Sequence, residues 1–259
     1  MTRIDQFSLT TTPIEQHFNQ TLLGTATGFV WNIADKYYLV TNWHVVTCRI
    51  FPSGENISPH GGRPNMLRVW FNLATQEFWK QQYDIRIRDQ NDETPLWLVH
   101  PARKVDIAVV PLPLSADQLK ILNLYPINKL TSSDLAVYIG MEVFILGFPF
   151  GVRLPAYPIW KRGSIASEPD LAPLADGFLM VDTASRPGMS GAPVIVRSWT
   201  NHLMQDGTNR LLDATTRTRF MGVYSGRIKA KDDLDTQIGM VWPATAINEI
   251  IACNMRDQD

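Results

Sequence analysis

Short stretches of β-branched and aromatic residues, each bounded by Gly, Pro, Asn or Asp, recur along almost the whole of this 259-residue chain. Residues 24–33 and 37–42 read as a hairpin that turns at Asp35-Lys36. Segments 67–72 and 83–88 alternate apolar and polar residues with the period of two that a half-buried strand shows, and 97–99 and 107–110 follow as two further strands. A second series runs through 141–147, 160–166, 177–182, 192–196, 219–226 and 237–242. Strands at this spacing, with no sustained helical periodicity between them, pack as an antiparallel barrel or sandwich rather than as a parallel α/β sheet. The chain is therefore expected to be all-β.

The rest of the chain divides around these two series. Residues 1–19 are polar and Thr-rich, expected as an N-terminal arm or lead-in strand with a short helical piece at 13–16. The first β half covers 20–113 and contains a Pro/Gly-rich surface loop at 51–65. A connector at 114–130, with a helical turn at 116–120, leads into the second β half at 131–242, which carries a polar insertion at 198–218. At 243–259 the pattern changes. Pro243, then Ala244, Ala246, Ile247, Ile250, Ile251 and Met255 at helical spacing, predict a C-terminal amphipathic helix packed on the β core.

Composition narrows the partners. Hydrophobic residues make up 45% and charged residues 19%, the balance of a folded globular chain. With 24 Lys+Arg against 25 Asp+Glu the net charge is −1, so there is no electrostatic reason to expect nucleic acid or an anionic membrane. The start Met1-Thr2-Arg3-Ile4-Asp5 lacks the basic and apolar regions of an export signal, and no apolar run is long enough to span a membrane, so the expected location is cytoplasmic. The two cysteines, Cys48 and Cys253, fit free thiols in a reducing compartment. No CxxC, HExxH or helically spaced His pair is present, so neither a metal nor a cofactor is expected.

The stretch with chemical potential is Ser185-Arg186-Pro187-Gly188-Met189-Ser190-Gly191-Ala192-Pro193, which runs into the apolar Val194-Ile195-Val196. Alone, it is an ordinary strand-entry turn. A serine between two glycines can also be presented bare to a substrate, with backbone N–H groups beside it to receive negative charge. Serine becomes a nucleophile only when a base takes its proton, and the base needs an acid on its other ring nitrogen. Of the five histidines, His44 alone sits in an apolar context, Trp43-His44-Val45-Val46, read as the end of a strand. Asp106 heads the apolar run Ile107-Ala108-Val109-Val110, where a buried carboxylate must be paired. Asp182 is the rival acid and is expected to brace the serine loop. The chain order His44, Asp106, Ser190 is that of chymotrypsin-type barrels and not of α/β-hydrolases, which run serine, acid, histidine.

Thr41-Asn42-Trp43-His44-Val45-Val46, Asp106-Ile107-Ala108-Val109-Val110, Gly147-Phe148-Pro149-Phe150-Gly151 and the block from Asp182 to Pro193 resemble, in this order, the signature blocks of trypsin-like serine peptidases. The bacterial HtrA/Deg-type branch is the most similar, with its TNxHV, DIAV, GxPxG and PGxSGxP patterns. The resemblance implies two six-stranded antiparallel β-barrels with the site in the cleft between them. It implies His44 as general base, Asp106 as the group orienting it, Ser190 as the nucleophile that forms an acyl-enzyme, and the backbone N–H groups of Gly188 and Ser190 as the oxyanion hole. It also places Ala184 at the base of the primary specificity pocket and makes Tyr224, Ser225 and Gly226 the strand that pairs with a polypeptide substrate. With no acid at 184, the expected residue before the cut is small or medium and apolar.

Three departures matter. Met189 replaces the aspartate that digestive members use to anchor a freshly cut N-terminus, so activation by such cleavage is not expected. Ala192 replaces the usual second glycine after the serine. No PDZ-like segment follows residue 245, which leaves the regulatory domain and trimeric cage of many HtrA relatives without support. In such relatives the oxyanion loop can stay collapsed until a substrate or an activating protein partner binds, and that partner is open for this chain too. The competing reading is a catalytically silent or conditionally active binding or scaffold module on the same fold.

Overall fold

A computed structural model of the chain describes residues 4–74, 79–102, 104–131, 134–151, 157–228 and 237–258. Residues 1–3 and 259, the extremes of the expected arm and tail, lie outside this set. The first series of strands is β1 (Thr11–Phe18), β2 (Thr21–Ile33), β3 (Lys36–Thr41), β4 (Met66–Asn72), β5 (Lys80–Arg86) and β6 (Ala108–Pro111). They form one antiparallel sheet in the order β5-β4-β1-β2-β3-β6. Between the edges β5 and β6 the chain at 88–98 makes only single bridges, Arg88 with Pro95 and Leu98 with Val109 of β6, rather than a ladder. Segment 97–99, expected as a full strand, contributes only such bridging.

Two expectations are corrected here. Residues 13–16 are not helical: Ile14 pairs with both Ala26 and Val69, so of the two readings, arm or lead-in strand, the segment is a strand, and an inner one. The helix lies just before it, α1 (Gln6–Thr10), with the Asp5 carboxylate accepting the Phe7 N–H. The β2–β3 turn is Ala34-Asp35, one residue earlier than expected. Both residues are left-handed, at φ 47° and 60°, as the twist of a two-residue hairpin loop demands.

The second series closes completely. Strands β7 (Glu142–Gly147), β8 (Ile159–Ile165), β9 (Leu179–Asp182), β10 (Pro193–Ser198), β13 (Arg217–Arg227) and β14 (Ile238–Pro243) form a barrel in the order β10-β13-β14-β9-β8-β7. The polar insertion holds a small hairpin of β11 (His202–Leu203) and β12 (Asn209–Arg210). Helix α2 (Trp43–Thr47) follows β3, α3 (Ala116–Ile121) lies in the connector with a Ser115/Gln118 capping box, and α4 (Ala172–Ala175) precedes β9. Helix α5 (Thr245–Cys253) is the predicted C-terminal helix, although Pro243 ends β14 instead of opening the helix. Both cysteines are free thiols, and burial pushes the Cys48 thiol up to about 11. Among the described residues no helix is long and apolar enough to cross a membrane.

Three apolar cores follow from this arrangement. One fills the first sheet, with Ile14, Leu39, Leu67, Val69 and Trp97. Another fills the closed barrel, with Val143, Val181, Val194, Tyr224 and Val241. The third lies between them: Phe29 and Trp31 from β2 meet Phe220 from β13, Trp242 from β14, and Ala246, Ile247 and Ile250 from α5. Ring centroids of Phe29 and Phe220 are 5.5 Å apart in an edge contact. This shared core fixes one six-stranded unit against the other and so fixes what faces the cleft.

Candidate active site

His44 is not at a strand end. Asn42 leaves β3 extended, and the chain turns at once into α2, so His44 sits in a single helical turn. A helix this short is not stable by itself. Of its open N–H groups, that of His44 is met from outside, donating to the Asp106 carboxylate at 2.9 Å, and the Asn42 side-chain amide ties the start of the turn to the Asp106 carbonyl at 2.7 Å. Thr47 Oγ1 returns a bond to the Trp43 carbonyl, and Cys48, left-handed at φ 54°, closes the turn. The β-branched pair Val45-Val46 made the sequence read as strand, and these tertiary bonds override that propensity.

Asp106 is 2% exposed and accepts three hydrogen bonds. Besides the His44 backbone, its other oxygen takes His44 Nδ1 at 2.6 Å and the Ser225 hydroxyl at 2.5 Å. Burial of the imidazole works against its charge, but the adjacent Asp106 charge and the hydrogen bond to it outweigh burial and raise the His44 pKa. His17, His100 and His202 are bonded elsewhere, to Glu15, to Glu249, and to Ser198 and Thr215.

The serine loop is held from both halves of the molecule. Thr27 of β2 donates its N–H to the Ser190 carbonyl and its hydroxyl to the Gly188 carbonyl, both at 2.8 Å. The same hydroxyl accepts the Phe148 N–H at 3.0 Å. Pro187 O takes the Phe150 N–H, and Tyr224 O takes that of Gly191. The loop's two glycines are required by space and angle together. Gly188 has φ 95°, and a Cβ there would lie 2.4 Å from the Phe148 carbonyl; Gly191 has φ 82°, and its Cβ would lie 2.1 Å from the Thr27 carbonyl. Among the described residues, the Gly188 and Ser190 N–H groups donate to no protein acceptor. Nor, among them, does a hydrogen bond join Ser190 Oγ to His44; in unliganded enzymes such contacts often form only with substrate.

Asp182 does not brace this loop: it is exposed at the end of β9, paired through its backbone with Ser164 and Ile238. Thr27 has that task instead, and sequence offered no signal for it. Met189 is 1% exposed in the core of the closed barrel. Ala184 lines a recess of about 120 Å³ with Phe150, Ile159, Lys161 and Met189. Tyr224 corrects another expectation. Its N–H and carbonyl are both spent on Ala192 and Gly191, and its side chain is 1% exposed, so it supports the loop from behind and offers nothing to a substrate backbone. Ser225, expected as a substrate-pairing residue, turns its hydroxyl to Asp106, while Gly226 pairs with Met240 of β14.

Residues 26–200 match the model of the trypsin-like peptidase domain. No curated protein sequence matches the chain. Among solved structures, the serine endoprotease from Yersinia pestis is similar with a TM-score of 0.55 and 15% identity, over 96% of this chain and 65% of that one. The Rv3671c protease from M. tuberculosis in its active form gives a TM-score of 0.51 and 16% identity, over 95% of this chain and 81% of that one. The chain thus spans 65% of the length of the Yersinia protein. At these identities the likeness speaks to the fold, a chymotrypsin-like pair of six-stranded β units with a C-terminal helix.

Proposed function

Since the chain belongs to the trypsin-like peptidase domain family, we propose that it is a serine endopeptidase that cleaves polypeptides through His44, Asp106 and Ser190. The observation that carries this reading is the paired grip of Asp106 on His44, through Nδ1 and the backbone N–H together. It fixes the ring so that Nδ1 holds a proton and Nε2 is left as the base. Ser190 Oγ attacks the substrate carbonyl carbon while its proton passes to His44 Nε2. The oxyanion is received by the N–H groups of Gly188 and Ser190, each such donor being worth about 2.7–4 kcal/mol in the transition state. Collapse expels the amine, which takes the proton from His44, and leaves an acyl-enzyme on Ser190. Water, deprotonated by the same His44, then releases the acid and restores the serine.

The recess beside Ala184 supports a small or medium apolar residue before the cut. Lys161 and Arg186 line it and, among the described residues, no acid does, which disfavours substrate Arg or Lys there.

Active-site labelling tests the reading. A fluorophosphonate is expected to modify the wild-type chain at Ser190 and to leave Ser190→Ala unlabelled, and new N-termini are expected in a proteome digested by wild type alone. Equal label on both proteins, or none on either with no new N-termini, sinks it. A cleavage profile dominated by Arg or Lys before the cut sinks the specificity reading and leaves the triad standing.

A further inference from the structure

Beyond α5 the chain turns at left-handed Asn254 and runs back across the first sheet. Val99 donates its N–H to the Met255 carbonyl, Arg256 bridges Leu98, and Asp257 donates its N–H to the Trp97 carbonyl. This places the Asp257 side chain, in a residue 4% exposed, under the start of α2. One of its oxygens, Oδ2, accepts the indole N–H of Trp43 at 2.7 Å and that of Trp97 at 3.2 Å, and the other accepts the Gln258 N–H. The ring of Trp97 in turn lies 5.1 Å from the guanidinium of the buried Arg88. A carboxylate this enclosed is tolerated only with several donors, and two of those donors are tryptophans whose indole N–H would otherwise be stranded in an apolar site.

Trp43 is the first residue of α2 and the chain neighbour of His44. The helix is one turn long; the Asp106 contacts grip its front, and Val45 and Val46, both 0% exposed, seat its apolar side in the first core. The other side of Trp43 rests on Phe51, at 6.0 Å between centroids, and Phe51 rests on Trp242 of the closed barrel at 5.6 Å. From this geometry we propose that Asp257 is a positioning residue for the peptidase reaction: through Trp43 it sets the rotation of α2 and hence the reach of His44 toward Ser190. The proposal rests on the role given to His44 above. Misplacing a reacting group by about 1 Å can cost on the order of 100-fold in rate, so a side chain that touches neither substrate nor triad can still govern turnover.

Trp97 supplies the control, because it shares the same carboxylate oxygen without belonging to α2. Trp43→Phe and Asp257→Asn are each expected to lower kcat about tenfold with KM changed less than about twofold, and the double variant is expected to be no worse than either single one. Both should move the acidic limb of the kcat/KM profile down toward the ordinary histidine value, since the raised pKa depends on the close approach of Asp106. Trp97→Phe should lower the melting temperature and leave kcat and the limb in place. Wild-type kcat and limb in Trp43→Phe and Asp257→Asn, or a loss in Trp97→Phe equal to that in Trp43→Phe, overturns the proposal. Should wild type neither cleave nor label, the peptidase reading fails separately. The downfield proton resonance of His44 Nδ1 then decides: a shift in Trp43→Phe and none in Trp97→Phe supports the clamp, and unchanged resonance in both rejects it.

Discussion

Asp106 concentrates three donors on one buried carboxylate, and the consequences can be separated by removing one donor at a time. Ser225→Ala deletes a hydrogen bond to a charged acceptor, an interaction worth about 1.5–3 kcal/mol. Because His44 still holds the carboxylate from two sides, part of that is expected to be recovered, leaving kcat/KM reduced about tenfold. Steady-state kinetics normalised to labelled Ser190 checks this, and an unchanged kcat/KM would remove Ser225 from the site. The pH dependence follows from the same contacts. In the proposed mechanism imidazolium cannot take the Ser190 proton, so kcat/KM is expected to fall as pH drops through the His44 pKa, which Asp106 raises above its ordinary value. In stability the sign is opposite: the charged His44–Asp106 pair helps the folded state fully below the unfolded histidine value, and the help is lost as pH rises through the raised folded one. Asp106→Asn removes the charge. Its acidic limb should lie below that of wild type, with activity lower on the order of 10⁴-fold, as is typical when the orienting acid becomes an amide. A limb that stays put would mean that the raised pKa has another origin.

At the scale of elements, β2 is the member that ties site to scaffold. Thr27 grips the serine loop, and four residues on, Trp31 joins the core between the two sheets. Thr27→Val keeps shape and removes the hydroxyl, leaving the Gly188 carbonyl and the Phe148 N–H without their partner in a residue that is 0% exposed. The expected cost is about 1–3 kcal/mol of stability, with kcat reduced more than KM is raised, because the loop that carries the oxyanion donors loosens. Urea denaturation and active-site titration read the two effects apart. This contact also marks where sequence reading stopped. Strands announce themselves through alternation, and His44, Asp106 and Ser190 through base, acid and serine in sequence order. Thr27 lies 161 residues from Gly188, and nothing in a threonine within an apolar strand says what it will face. The misread segments have the same origin. Val45-Val46 carries β propensity that the Asp106 bonds override at α2, and the local pattern at 13–16 suggests a helix that pairing on both sides overrides to make β1. Asp182 is polar and next to the loop in sequence, which predicts a bracing task that Thr27, from the other half, performs.

On the scale of the whole molecule, the proposed reaction requires His44 and Asp106 from the first half to meet Ser190 from the second, so the relative placement of the two halves is itself part of the proposed site. That placement is held by the apolar core between them, into which α5 inserts Ala246, Ile247 and Ile250. The helix was legible from its 3.6-residue periodicity, but where its apolar face would go was not, because a periodicity states which side is buried and never against what. Ile247 is 0% exposed and belongs to the core that both sheets share. Ile247→Ala should therefore cost about 2–5 kcal/mol, the range for a large-to-small change in a packed interior. Since the lost contacts serve both sheets, unfolding in urea should remain one cooperative transition with a lower midpoint, followed identically by tryptophan fluorescence and by far-ultraviolet circular dichroism. Two separated transitions, with only one moved by the substitution, would mean that the sheets fold independently and that the shared core does not set the geometry of the cleft.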